Sequence, residues 1–131
     1  MLDYFGGVIY WTGELEPMVQ FYRDVLELPV HSIHPDFVAF ELGGIRISVG
    51  AHSEVRGPAP DGVRVMINLG VEDIFATFEA LRKHGVGFIR PPEREEWGGW
   101  VATFSDPDGN LLQLLQQPPT PGHQGDARGR V

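Results

Sequence analysis

Apolar and polar positions run twice along this chain in the same order. Residues 6–11 are apolar and β-branched and read as a strand. Gly13-Glu14-Leu15-Glu16-Pro17 then opens a helix, with Pro17 in the first turn, where its missing N–H costs nothing. Met18, Phe21, Tyr22 and Val25 continue at helical spacing. A strand is expected towards His34, another over 37–42, and Gly43-Gly44 turns the chain into a fourth over 45–49. Residues 50–62, rich in Gly, Pro, Ser and charge, read as a linking loop. The order then restarts. Residues 63–69 read as a strand, and Glu72-Asp73 places acids at a helix start, where the dipole favours them. Ile74, Phe75, Phe78 and Leu81 follow at helical spacing, closed by Lys83-His84-Gly85. A short strand over 86–89 and a loop over 91–99 lead to a last hairpin.

That hairpin is the most specific signal. Trp100-Val101-Ala102-Thr103-Phe104 enters the turn Asp106-Pro107-Asp108-Gly109-Asn110, and Leu111-Leu112-Gln113-Leu114 leaves it. Pro107 presets φ for a turn, and Gly109 takes φ > 0 without steric cost. The halves align with a constant offset early on: Thr12–Leu15 on Val71–Ile74 and Arg23 on Arg82, all 59 apart. Later Phe40 matches Phe104, and Gly44 matches Gly109.

Composition narrows the function classes. At 131 residues the chain is one domain by size, 42% hydrophobic and 21% charged. Its net charge of −8 and the lack of a basic stripe argue against nucleic acid. No apolar stretch approaches ~20 residues, so no membrane span is expected. There is no cysteine, hence no disulfide or thiolate chemistry. Without a visible export signal the expected address is the cytoplasm. Residues 117–131, rich in Pro, Gly, Gln and Arg, are expected to be a disordered tail.

The closing hairpin and the repeated strand–helix–strand–strand–strand order resemble the vicinal oxygen chelate superfamily. That group includes glyoxalases, bleomycin-resistance proteins and extradiol dioxygenases. The resemblance covers about residues 5–116 and implies an α+β fold. Two βαβββ modules, about 5–50 and 63–116, would curl their sheets into a cup with the helices outside. It also implies four metal positions, which fall here on Gly7, Ser48, Met66 and Gln113, where the family typically carries His or Gln, Glu, His and Glu. Gly has no ligand atom, Ser is a poor neutral ligand, and the Met thioether is soft. The set offers no negative charge and no imidazole, so no metal and no other cofactor are expected.

Strand parity selects a ligand-binding set. If Val8, Tyr10, Ile47, Val49, Leu112 and Leu114 face the helices, then Trp11, Arg46, Ser48, Arg64, Met66, Asn68 and Gln113 face the other way. Trp97 and Trp100, flanking Gly98-Gly99, would stand at the mouth of that site; the alternative is that they simply pack against the sheet or a dimer partner. Arg46 has Glu41 nearby as a partner. Glu93, Glu95 and Glu96 form a charge run that would act as a base, attract a cation or simply be solvated. The five histidines show no ligand spacing with carboxylates, and no catalytic residue is assigned. The resemblance favours a metal-independent binding protein of the bleomycin-resistance type, a homodimer sequestering a drug or metabolite. The alternative it implies is a metal-dependent glyoxalase-like lyase or isomerase, or a dioxygenase. A third reading is a regulatory or assembly domain with no small ligand.

Overall fold

The computed structural model describes residues 1–119, which fall into two compact units: Met1–Pro60 with Asp106–Asp108, and Asp61–Ser105 with the chain from Gly109. Each is α+β, a four-stranded mixed sheet carrying a helix on one face.

In the first unit β1 (Val8–Thr12) leads to α1 (Leu15–Gln20), which runs on as a π-helical segment, Phe21–Val25. β2 (Val30–His34), β3 (Phe37–Leu42) and β4 (Ile45–Ala51) follow. The sheet order is β1-β4-β3-β2; β1 and β4 are parallel, because the helix between β1 and the rest carries the chain back across the sheet. Gly43 and Gly44, at φ 60° and 82°, make the β3–β4 turn, a left-handed pair that side chains resist. Met18, Val19 and Tyr22 from the helix close over Val38, Phe40, Ile47 and Val49, all buried.

The core of this unit also holds polar groups. Tyr22 is fully buried and donates its phenol O–H to Asp106 Oδ2 at 2.7 Å. Asp106 Oδ1 accepts from the Asp108 N–H at 2.9 Å, the Asx turn that shapes the loop. Tyr10 stacks on Tyr22 with ring centroids 5.8 Å apart, and its hydroxyl is buried beside the Tyr22–Asp106 pair.

The second unit repeats the plan with β5 (Ile67–Gly70), α2 (Ile74–Lys83), β6 (Phe88–Arg94), β7 (Trp100–Ser105) and β8 (Leu111–Gln116), in sheet order β5-β8-β7-β6. Asp73 caps α2, its Oδ1 accepting from the Ala76 N–H at 3.1 Å. Gln116 Oε1 takes the Ile74 N–H at 2.7 Å, satisfying another of the orphan donors of that helix end. Ile74 and Leu81 pack towards Ala102, Phe104, Leu112 and Leu114, all buried.

The register bears out the repeat. Ile9 pairs with Ser48 and Asn68 with Gln113, offsets of 59 on the first strands and 65 on the last. Two boundaries differ most from expectation. β5 begins at Ile67, not at 63, because Asp61–Val65 form turns in which the Arg64 N–H reaches the Asp61 carbonyl at 3.1 Å. β6 runs on through Pro91 and Pro92 to Arg94. It is an edge strand, and its pairing with β7 slips between Arg90 and Glu93, so the missing proline donors cost the ladder little. Of the expected tail, residues 117–119 have no regular structure and 120–131 lie outside the described residues.

Candidate functional site

Each sheet turns one face to its helix. The opposite face carries the polar and aromatic residues singled out by parity. On the first sheet the alternation along β1 is direct: Val8 and Tyr10 are half-buried and Thr12 buried, while Ile9 and Trp11 are about half exposed. Three rows cross this open face. Trp11, Gly50 and Phe37 are paired in register with His34 beyond them; Ile9, Ser48 and Ala39 form the middle row with Ser32; Arg46 lies opposite Glu41.

The Trp11 indole lies over Gly50. A Cβ on Gly50 would fall 2.8 Å from Trp11 Cζ3 and 3.3 Å from Phe37 Cβ, so glycine is what lets the ring lie down there. His52 meets the indole edge-on with centroids 5.3 Å apart. At the other end Arg46 Nη2 lies 3.4 Å from Glu41 Oε1 and 3.2 Å from His31 Nε2. Arginine has only donors, so His31 Nε2 is an acceptor and Nδ1 carries the proton towards Ser32 Oγ, 3.3 Å away. The Arg46–Glu41 partnership expected from sequence is present; the histidine was not foreseen.

On the second sheet β5 and β8 set Asn68 beside Gln113, and Gln113 Nε2 donates to Asn68 Oδ1 at 3.0 Å. The row continues through the buried Thr103 to Arg90. Arg90 is held by two carboxylates, Glu93 at 2.7 Å and Glu95 in a closer ion pair. Two of the three glutamates proposed as a base or cation site are therefore committed to a guanidinium. Those pairs raise the Arg90 pKa, Glu93 contributing most.

Several sequence-predicted residues stand elsewhere. Arg64 precedes β5 in the turn, 78% exposed and paired with Asp61 at 3.3 Å, so the strand parity that selected it does not apply. Met66 is half-buried immediately before β5. Trp100 faces the helix: its ring meets Phe75 of α2 edge-on at 5.1 Å. Trp97 remains half exposed, its ring folded over Gly99 in the β6–β7 turn.

Each unit also has a cleft where its first strand hands over to its helix. In the first unit it measures about 540 Å³ and includes Thr12, Glu14, Asp36, His52 and Arg56. In the second it measures about 590 Å³ and includes Gly70, Glu72, Leu115 and Gln116. Thr12 and Val71, and Ala51 and Gln116, stand at the repeat offsets, so the two clefts are equivalent places in the two modules. Neither is lined by a residue selected from sequence.

The sequence model of the Glyoxalase/Bleomycin resistance protein/Dioxygenase superfamily matches residues 2–114. The chain belongs to that superfamily. A curated relative, YraH of Bacillus subtilis, is 27% identical over 117 residues, covering 80% of this chain and 91% of that one. A Haemophilus influenzae protein named lactoylglutathione lyase is 27% identical over 130 residues, covering 88% and 93%. A solved structure of a glyoxalase/bleomycin resistance protein/dioxygenase from Nocardioides matches with TM-score 0.75 and 24% identity, covering 95% of this chain and 91% of that one.

Membership raises the question of a metal. The four metal positions that the resemblance implies are Gly7, Ser48, Met66 and Gln113, and the donors there do not fit a divalent ion. Gly7 sits at φ 139°, and a Cβ there would lie 2.5 Å from the Arg46 carbonyl oxygen, so even a longer side chain is barred without backbone movement. The Ser48 hydroxyl is neutral and Met66 offers only a soft sulfur. Gln113 offers one neutral amide oxygen, its Nε2 being the atom that donates to Asn68. Among the described residues no three His, Cys, Asp or Glu side chains are grouped to hold an ion.

Proposed function

We propose that this superfamily member binds a small organic molecule and sequesters it without metal chemistry. The observation that carries this reading is the chemistry of the donors just described: in the first unit a glycine and a neutral hydroxyl, in the second a thioether and one neutral amide oxygen, so neither unit offers a divalent ion any charge in return for its hydration. In its place the open face of the first sheet offers a flat indole and a guanidinium, and that of the second, taken by itself, an amide pair among apolar side chains; each has groups usual in a ligand site. The Arg46 guanidinium favours a ligand with carboxylate or carbonyl oxygens. We also propose a homodimer, since the edge strand β2 leaves Val30 41% and Ile33 70% exposed.

The second reading, a metal-dependent lyase, draws on relatives such as the Haemophilus influenzae protein named lactoylglutathione lyase. Elemental analysis of the purified protein decides between the two. Sequestration expects divalent metal far below one equivalent per chain, together with metabolites or drugs that raise the melting temperature in a thermal-shift panel. One equivalent of Zn, Ni, Fe or Mn, lost on Gln113→Ala, would overturn it. Light scattering that finds only monomer at micromolar concentration would remove the dimer.

A further inference from the structure

Asn68 and Gln113 are paired across β5 and β8, on the face of the sheet that α2 leaves open. Two carboxamides side by side can exchange two hydrogen bonds. Only one is made, Gln113 Nε2 to Asn68 Oδ1 at 3.0 Å. Among the described residues Asn68 Nδ2 is left as a free donor and Gln113 Oε1 as a free acceptor. Turning both amides over exchanges the two roles but leaves the same outcome, one donor from one residue and one acceptor from the other. The edge is thus fixed in character whichever way the amides are assigned. A lone amide on a surface would rotate to suit any partner; here the mutual bond removes that freedom.

The surroundings of this edge are apolar. Leu111 and Leu115 flank Gln113 on the same side of β8, and Val101 pairs with Leu115 from β7. The nearest charged side chain along the row, Arg90, is taken by Glu93 and Glu95, so it does not compete as an ion-pairing partner for an anion. The equivalent pair in the first unit is Ile9 and Ser48, which has no such edge. The chemistry is therefore particular to the second module and is not a by-product of the repeat.

We infer that the Asn68–Gln113 pair recognises a planar group that presents a hydrogen-bond donor next to an acceptor. The chemical class is the cyclic amide: a lactam, an imide, a ureide or the like edge of a nucleobase. This inference rests on the reading that the open sheet face binds a small molecule, and narrows it to a class. A simple carboxylate has two acceptors and no donor, so it matches only half of the edge.

The test uses 2-pyridone as the probe, with N-methyl-2-pyridone and benzoate as comparisons, titrated into the ¹⁵N-labelled full chain while the side-chain amide signals of Asn68 and Gln113 are followed by NMR. The expected result is saturable shifts of both amides with 2-pyridone and at least about tenfold weaker binding of the N-methyl compound, which has lost its donor. Asn68→Leu and Gln113→Met should each erase that preference; an unchanged backbone spectrum identifies a folded variant, and the wild-type comparison of the two pyridones stands without them. Equal affinity for both pyridones would overturn the amide edge and leave small-molecule binding intact. Binding of benzoate alone would do the same. Absence of shifts with all three probes would overturn the inference, while ligands that raise the melting temperature in the panel above would still uphold the broader reading.

Discussion

Replacing Tyr22 by Phe removes one oxygen from the centre of the first unit and nothing else. Tyr22 is fully buried, its partner Asp106 is 4% exposed, and their oxygens are 2.7 Å apart. Phe keeps the ring stacked near Tyr10 and Phe40, so almost no cavity opens. The effect is the loss of a hydrogen bond to a buried carboxylate, worth about 1.5–3 kcal/mol. For a chain of this size each kcal/mol shifts the melting temperature by roughly 3–5 °C, so a fall of about 5–15 °C is expected. Asp106→Ala removes the same bond and the turn contact to the Asp108 N–H at 2.9 Å, and should cost more. The double variant isolates the pair: in the Asp106→Ala background, Tyr22→Phe should cost about 1–2 kcal/mol less than it does alone. The assay is urea unfolding at pH 7 with constant slope. A Tyr22→Phe protein within about 0.5 kcal/mol of the parent would refute the claim that this bond helps hold the turn.

Other consequences are as direct. Burial first, and then the Asp106 charge, push the Tyr10 phenol up to about 12, and the same two causes raise Tyr22 further. Both stay protonated in the folded chain while the unfolded chain releases their protons near pH 10, so stability is complete below pH 10. It should fall by about 1.4 kcal/mol per pH unit for each phenol between pH 10 and 12; a flat denaturation midpoint across that window would refute it. Gly50→Ala should lift the Trp11 indole off β4 and alter its fluorescence at a stability cost of about 1–3 kcal/mol; an unchanged emission spectrum counts against the contact. Arg46→Ala should leave the melting temperature nearly unchanged, because its ion pair with Glu41 is exposed. It should weaken binding of an acidic ligand found in the panel by ~1–3 kcal/mol, read by calorimetry; an unaltered affinity would remove Arg46 from the site.

What the sequence made legible was set by local chemistry. The Gly43-Gly44 turn, the Asp73 cap and the Asp106–Asn110 loop are each determined by a few adjacent residues, and all stand where the pattern places them. Alternation also selected the face of Trp11, Arg46 and Gln113 correctly. It failed at Arg64, where Val63-Arg64-Val65 alternates like a strand. There the Gly62 backbone is pressed so close to the Gly109 carbonyl that the chain turns instead, and that contact is 47 residues away in sequence. The Arg90 clamp was hidden for a similar reason. Its Glu93 and Glu95 partners come within reach through the slipped β6 pairing, which no period of two reveals. Of the two places the sequence leaves open for Trp100, the mouth of a site or packing, the structure has the second: its pairing with Gln116 fixes it on the helix side.

The repeat itself explains why fold and function part company here. Both modules keep the register that positions a chemistry-bearing residue on the last strand, Ser48 in one and Gln113 in the other. Register is a backbone property, maintained by the Val, Ile, Leu and Phe residues buried against the helices, and it does not depend on what the open face carries. The open-face residues can therefore change without disturbing the fold. In the first module those positions became a glycine pressed on Arg46 and a hydroxyl beside Ala39; in the second they became an amide bound to its neighbour. On the proposed reading, a scaffold of this kind exchanges metal chemistry for hydrogen-bond recognition without moving a strand. Restoring a carboxylate with Gln113→Glu provides the test of that independence. It should leave the melting temperature within a few degrees, since the side chain is half-buried and Asn68 still offers a donor. It should not create tight divalent-metal binding, because Gly7 and Ser48 remain unable to supply charge. A Gln113→Glu protein that takes up one equivalent of metal would show that the remaining donors suffice after all.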